Sequence, residues 1–139
     1  MNLNITWDEK HDIDNYINIH VSENDYLEKI KKIPDAGCKV IHVSEGAYLL
    51  DYKSVFELLQ MCVTKLRMNG RISISVFNFY LICADYIGGS LESEVLSRYL
   101  SNMNSNVRYD EVSRIFYQNN IKLQGIDRAE YYQVLHGSR

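Results

Sequence analysis

The sequence predicts an α/β fold: a mainly parallel sheet, flanked by helices, with an antiparallel strand at its C-terminal edge. Three observations predict it. Segments that alternate polar and apolar residues are interleaved with helical patterns over most of the 139 residues, which is typical of parallel sheets with helices on their faces. Residues 51–66 carry one continuous apolar helical stripe. The last two predicted strands follow one another without a helix, so we expect them to pair antiparallel.

The first third of the chain is predicted to contain three strands and one helix. The strands, recognised by alternation, span Asn2 to Thr6, Tyr16 to Val21 and Lys39 to Val43. The polar residues 7–15 are predicted to form a loop. Ser22, with Asp25 three residues later, has the pattern of a helix N-cap with an acidic first turn. That helix is expected to reach Lys32 and to end at Pro34–Gly37.

The strongest helical pattern begins after Asp51, which we expect to cap it. Its apolar positions recur at helical spacing; they are Val55, Leu58, Leu59, Cys62, Val63 and Leu66. Lys65 and Arg67 are predicted in the last turn, where cations suit the helix dipole. Asn69–Gly70 is predicted to end the helix, and a strand from Arg71 to Phe77 follows.

The remainder of the chain is predicted to add three helices and two strands. The first of these helices runs from after Phe77 to Ile87, the second from Ser90 to Leu100 and the third from Tyr109 to Asn119. Residues 101–106 are predicted to form a polar linker. Ile121–Ile126 and Tyr131–Leu135 are predicted strands, separated by Asp127–Arg128. We expect the first four strands to be parallel and the last to run antiparallel.

Composition and charge exclude several classes of function. The chain has 15 basic and 18 acidic residues, a formal charge of −3. General binding to nucleic acid or anionic membrane needs concentrated positive charge, so we expect neither. The longest apolar stretch, Val76 to Ala84, is far below the roughly 20 residues of a spanning helix. The three cysteines are interpreted as reduced thiols, and we expect a single domain, residues 1–139, in the cytoplasm.

Two segments carry a resemblance to a known family. Residues 15–20 read NYINIH, and residues 66–79 read LRMNGRISISVFNF. They resemble the second strand, and the helix exit with fifth strand, of the class I methyltransferases that use S-adenosylmethionine, in particular the compact subgroup (type 11-like). Residues 3–5 resemble that subgroup's first strand, and residues 35–50 its fourth-strand region. The resemblance implies a Rossmann-like methyltransferase fold over nearly the whole chain.

The resemblance also implies a cofactor pocket, and the chain departs from the family there. The implied pocket positions are Thr6, Trp7, Asp8, His20, Ser44 and Glu45. The family places Gly-x-Gly after strand one, where the backbone approaches the cofactor, but no glycine occurs from residue 1 to residue 36. Trp7 is expected to fill the pocket. The family's ribose-binding acid is replaced by His20, a poorer anionic acceptor. We therefore expect no cofactor, or S-adenosylmethionine if the protein is active.

Further candidate residues have both functional and structural interpretations. Ser44–Glu45–Gly46 follows a parallel strand, where sites form in open α/β sheets; the alternative is that Glu45 is a loop acid facing water. Asn78 could bind a substrate or cap the following helix. The polar residues His11, Asp12, Asp14 and His20 match no zinc or calcium spacing, so no metal site is predicted. No catalytic residue is identified.

Three hypotheses for function remain. The first is a degenerate, non-catalytic methyltransferase-fold protein that acts as a protein-interaction or assembly module. The second is an active S-adenosylmethionine-dependent methyltransferase with an altered cofactor pocket. The third is a homo-oligomeric structural protein. Tyrosine occurs 11 times and suits both interfaces and core rims. We expect a homodimer or a protein partner, with the interface drawn from Tyr80, Tyr86, Tyr99, Tyr131 or Tyr132.

Overall fold

The computed structural model describes residues 1–101 and 103–139. They form one six-stranded sheet in the order β2-β1-β3-β4-β6-β5. The strands are β1 (Asn2–Thr6), β2 (Ile17–His20), β3 (Cys38–Val43), β4 (Leu66–Phe77), β5 (Lys122–Ala129) and β6 (Tyr132–Ser138). The helices are α1 (Tyr26–Lys31), α2 (Tyr52–Lys65), α3 (Phe79–Ile87), α4 (Ser93–Ser101) and α5 (Tyr109–Gln118). Short 3₁₀ turns span Glu9–His11 and Glu45–Leu49. One residue of the predicted linker, Asn102, lies outside the described residues.

The sheet confirms the predicted topology. The pairs β1–β2, β1–β3 and β3–β4 are parallel, whereas β6 pairs antiparallel with both β4 and β5. The closing hairpin forms the edge, and its outermost strand is β5. The predicted turn at Asp127–Arg128 is wrong because both residues continue to pair with β6. The chain reverses instead at Glu130, whose φ of 50° is the left-handed geometry that a tight turn uses.

One face of the sheet forms the core. Leu3, Ile41 and Ile72 lie side by side across β1, β3 and β4, and the next row is Ile5, Val43 and Ile74; all six are fully buried or nearly so. Helices α1, α2 and α5 pack together, and α5 also contacts β6. Burial of each such side chain stabilises the fold by about 1.5–3 kcal/mol. The predicted α2 stripe is confirmed, because Val55, Leu58, Leu59, Cys62, Val63 and Leu66 are all buried.

The alternate residues of the same strands form a polar row on the opposite face. Asn18, Asn4, His42, Ser73 and His136 occupy successive paired positions across five strands. Hydrogen bonds connect two pairs of neighbours: Asn4 Nδ2 donates to Asn18 Oδ1 at 2.8 Å, and His42 Nδ1 lies 2.9 Å from Ser73 Oγ. All residues between β1 and β2 are described, and they contain the 3₁₀ turn at 9–11 but no α-helix.

The boundaries of α1 and α4 differ from those predicted. Ser22 is not an N-cap: the N–H of Glu23 donates to the carbonyl of His20, so the chain turns there and α1 begins only after Asp25. The start of α4 is Ser93 rather than Ser90. The N–H groups of Ser90 and Leu91 both donate to the carbonyl of Asp85, and they therefore close the end of α3.

Helix α2 ends at Lys65, earlier than predicted, and Arg67 belongs to β4. Leu66 takes extended backbone angles and pairs with Cys38, after which the pairing is interrupted until Arg71 meets Val40. Asn69, with φ at 60°, turns the chain within that interruption instead of ending a helix. The predicted caps are confirmed: Asp51 accepts from the N–H of Ser54, and Asn78 accepts from the N–H of Leu81.

Candidate functional site

A cavity of about 470 Å³ lies where β1 and β3 end. Parallel strands place their carboxyl ends at one edge of the sheet, and sites in open α/β folds form there. The lining residues are Thr6, Trp7, Asp8, His11, Ser44, Glu45, Gly46, Leu49, Phe77 and Tyr132. Five of the six predicted pocket positions are therefore brought together. The sixth, His20, pairs with Thr6 in the sheet but does not line the cavity.

Three aromatic residues, Trp7, Phe77 and Tyr132, line the cavity. Trp7 follows β1, Phe77 ends β4, and Tyr132 begins β6, directly opposite Phe77. The Phe77 and Tyr132 rings lie 4.6 Å apart between centroids. Sequence reasoning missed Phe77, Tyr132, His11 and Leu49 as lining residues. The pairing of β4 with β6 brings Tyr132 here, and its register could not be read from either strand alone.

Two carboxylates, those of Asp8 and Glu45, line the cavity and differ in their hydrogen bonding. Oδ1 of Asp8 lies 3.1 Å from Nδ1 of His11 and accepts from the N–H of Lys10 at 3.1 Å. The Glu45 carboxylate has no hydrogen bond or ion pair with any of the described residues. Burial, reinforced by the charge of Glu45, raises the pKa of Tyr132 to about 12. Glu45 thus lines the cavity half-buried and without a partner among the described residues.

Thr6 is the most deeply buried polar residue of the lining. Its side chain is 1% exposed, and its hydroxyl has no hydrogen-bond partner in the part of the chain that the structure describes. Buried hydroxyl groups normally find a partner, because leaving one unpaired costs about 1–3 kcal/mol. The Thr6 hydroxyl is thus a buried polar group without a partner, on a residue that lines the cavity.

The loops after β1 and β3 close on each other. A Cβ atom added to Gly46 would lie 2.8 Å from Trp7 Cβ and 3.0 Å from Trp7 N, so the two backbones are in direct contact. No glycine occurs from residue 1 to residue 36, and no α-helix begins in the fully described segment between β1 and β2. The residues present therefore do not fit S-adenosylmethionine in the manner that the family resemblance implies. Trp7 forms part of the wall of the cavity.

His20 is held by carboxylates on both sides. Its Nε2 lies 2.7 Å from Asp12 Oδ1, and its Nδ1 lies 3.2 Å from Glu23 Oε1. Glu23 in turn pairs with Lys29 of α1. Hydrogen bonding to Asp12, with Glu23 acting in the same direction, raises the pKa of His20 above its ordinary value. The position that would bind ribose in the family is here part of an ion-pair network.

The polar residues between β1 and β2 pair with one another. His11 pairs with Asp8, and Asp12 pairs with His20. Within residues 1–101 and 103–139, no group of three or more His, Cys, Asp or Glu side chains is arranged to hold a metal ion. His42 lies on the polar face instead, and burial lowers its pKa.

The five tyrosines proposed for an interface differ in exposure. Tyr80 and Tyr86 lie exposed on α3. Tyr131 donates to Asp85 Oδ2 at 2.8 Å and stacks edge-on with Tyr99 at 5.1 Å. Tyr132 packs on Phe77. Within the closing pair of strands, β6 lies between β4 and β5, so β5 forms the edge of the sheet. The outer strand, β5, carries Lys122, Asp127 and Arg128, charges of the kind that shield an edge.

Comparisons with known proteins identify the fold. No family model matches the chain, and no curated protein matches it. Among solved structures, an S-adenosylmethionine-dependent methyltransferase from Archaeoglobus fulgidus aligns with a TM-score of 0.61 and 16% identity, over 97% of this chain and 74% of that one. An O-methyltransferase family protein from Burkholderia thailandensis aligns with a TM-score of 0.59 and 13% identity, over 89% of this chain and 36% of that one.

A third similar structure is the magnesium protoporphyrin IX methyltransferase from Synechocystis PCC 6803, with bound S-adenosylhomocysteine. It aligns with a TM-score of 0.54 and 9% identity, over 89% of this chain and 50% of that one. The chain thus spans half or less of the second and third structures. These likenesses confirm a Rossmann-like, class I methyltransferase-like fold. Separately, none of the described helices is long and apolar enough to cross a membrane.

Proposed function

We propose that this chain is a degenerate methyltransferase-fold protein that has lost catalysis and works by binding protein, in the simplest case a second copy of itself. The observation that carries the proposal is the exposure of α3. This helix reads FYLICADYI, yet only Ile82 is fully buried. An apolar helix that remains exposed is typical of an interaction surface.

The exposed stripe of α3 is suited to pairing with its own copy. Tyr80, Cys83, Ala84 and Ile87 recur at i, i+3, i+4 and i+7 and therefore share one face. Tyr80 is 82% exposed and Ile87 is 85% exposed. The one charged residue of α3, Asp85, is bonded to Tyr131. Two such helices can therefore pack across a two-fold axis without like-charge repulsion.

The departures from the family's cofactor site support the loss of catalysis. The contact between Gly46 and Trp7, the absence of a glycine from residue 1 to residue 36 and the engagement of His20 by two carboxylates remove three features that binding of the family's cofactor would use. A fold alone does not imply an activity. A reducing compartment, the cytoplasm, suits the buried free thiols of Cys38 and Cys62.

Light scattering tests the proposal. At micromolar concentration we expect twice the 16.2 kDa mass of the chain. The variants Tyr80→Ser and Ile87→Ser should lower that mass to a monomer, because they remove apolar area from the interface. Tyr117→Ser removes an equally exposed tyrosine, 84% exposed, from α5 and should leave the dimer intact. A wild-type monomer would overturn self-association.

A second candidate function, an active methyltransferase with an altered pocket, is favoured by one observation: the cavity persists at the strand ends. Calorimetric titration with S-adenosylmethionine separates the two candidates. We expect no saturable heat. Clear binding, accompanied by a raised melting temperature because a ligand of the native state must stabilise it, would favour the enzyme over the binding module.

A further inference from the structure

We propose that the cavity at the ends of β1 and β3 binds a small organic cation, namely a methylated ammonium group such as that of choline or of a methylated lysine side chain. The inference goes beyond the proposed function and does not depend on association through α3. It rests on three features of the cavity: its charge, its three aromatic lining residues and its size.

The charge of the cavity lining favours a cation. Asp8 and Glu45 are both present, and no lysine or arginine lines the cavity. His11 partly satisfies Asp8 at 3.1 Å, but Glu45 has no partner among the described residues. A half-buried carboxylate attracts a cation more strongly than an exposed one does, because the surroundings screen the charge less than bulk water. The charge of Glu45 already acts on the tyrosine across the cavity, Tyr132.

The aromatic walls favour an organic cation over a metal ion. Trp7, Phe77 and Tyr132 all line the cavity, and aromatic faces attract ammonium groups, with tryptophan the strongest. Methyl groups on the nitrogen fit such walls because they are apolar. Calcium or magnesium would instead require several oxygen ligands in a closed shell. The described residues contain no suitable cluster of His, Cys, Asp or Glu.

The size of the cavity suits a small ligand. The cavity volume of about 470 Å³ lies within the range of small-molecule sites.

Calorimetry with a charged probe and its neutral isostere tests the inference. We expect choline to bind saturably and 3,3-dimethylbutan-1-ol, which has the same shape without the charge, to bind at least about tenfold weaker. Glu45→Gln should weaken choline binding by about tenfold or more. Glu94→Gln, which removes one carboxylate from the exposed face of α4, should leave it unchanged. Tyr132→Phe should retain binding because it keeps the aromatic ring, whereas Tyr132→Leu should abolish it.

A second pair of probes distinguishes the two sources of the cation. A peptide with trimethyllysine should outcompete its unmethylated counterpart if the natural ligand is a protein side chain, and free choline should bind better than both if it is a small molecule. Equal affinity for choline and its neutral isostere, or no saturable binding of either cation, would overturn the inference. Light scattering and titration with S-adenosylmethionine test the proposed function, whereas choline binding tests the cation site. Failure of one proposal can therefore be distinguished from failure of the other.

Discussion

Nε2 of His20 lies 2.7 Å from Oδ1 of Asp12, and this contact joins the β1–β2 loop to the end of β2. The other ring nitrogen reaches Glu23, just before α1. An imidazole can donate from both nitrogens only when it is protonated. The two carboxylates therefore favour the charged ring, and the network holds the loop and the helix together.

His20 should make stability depend on pH. Asp12 raises the folded-state pKa of His20 above 6.5, so its contribution is fully present below pH 6.5 and is lost as pH rises through the raised value. We expect His20→Gln to destabilise the protein by about 1 kcal/mol or less near pH 6, and by less as pH rises. Urea denaturation of both proteins across this range measures the difference.

His42 provides a contrast to this pH dependence. Burial lowers its pKa, so its contribution is full above pH 6.5 and is lost as pH falls below it. The His42→Asn variant should therefore show the opposite trend from His20→Gln. Parallel curves for the two variants would contradict the assignment of either histidine.

Gly46→Ala should destabilise the protein through the contact with Trp7. The new Cβ would lie 2.8 Å from Trp7 Cβ, and such overpacking costs about 1–3 kcal/mol. Gly125→Ala is the matched control, because an added Cβ there meets nothing within 4 Å. Equal unfolding free energies for the two variants would show that the loops after β1 and β3 are not in contact.

Asp51→Ala should lower the unfolding free energy by about 1 kcal/mol, the usual effect of losing an N-cap. Asp51 accepts from the N–H of Ser54 at 3.0 Å and from its hydroxyl at 2.8 Å. Asp25 occupies the corresponding position in α1 without a side-chain cap bond, so Asp25→Ala should cost less. Guanidinium denaturation measures the unfolding free energy of both variants. A larger decrease for Asp25→Ala than for Asp51→Ala would contradict the capping assignment.

Asp35→Ala should be more destabilising than Lys65→Met. Nζ of Lys65 lies 2.7 Å from Oδ1 of Asp35, and the lysine side chain is 9% exposed whereas the aspartate is 77% exposed. Removing Asp35 leaves a buried ammonium without its partner, at a cost of about 1–3 kcal/mol. Methionine in place of Lys65 removes the charge and keeps an apolar stem of similar length. Thermal unfolding of both variants tests this order.

Much of the fold could be predicted from the periodicity of the sequence. The features that could not be predicted are those set by strand pairing between distant parts of the chain. The α2 stripe from Val55 to Leu66 is local and was predicted correctly. The end of α2 was not, because Leu66 is drawn into extended geometry by pairing with Cys38, 28 positions earlier in the chain. The position of β6 between β4 and β5 likewise depends on strand pairing that neither strand specifies by itself.

The candidate site was predicted only where it followed strand ends. Thr6 to Asp8 and Ser44–Glu45 could be assigned because the ends of parallel strands meet at one edge. Phe77 and Tyr132 could not, since their approach depends on the antiparallel register of β4 and β6. The unpaired states of Thr6 and Glu45 are properties of packing and charge in three dimensions, which a spacing pattern does not encode.

The outermost position of β5 has a consequence for how the native protein opens. Every residue of β5 is exposed and the strand has one neighbour, so its release removes little buried apolar area. Its amide hydrogens should exchange with solvent well before those of β1, which is paired on both sides and nearly fully buried. Each such opening uncovers the hydrogen-bonding groups of β6, in which Gln133, Leu135 and Gly137 are buried. While β5 stays paired, it covers the edge of β6, which is more prone to aggregation than the exposed, charged β5.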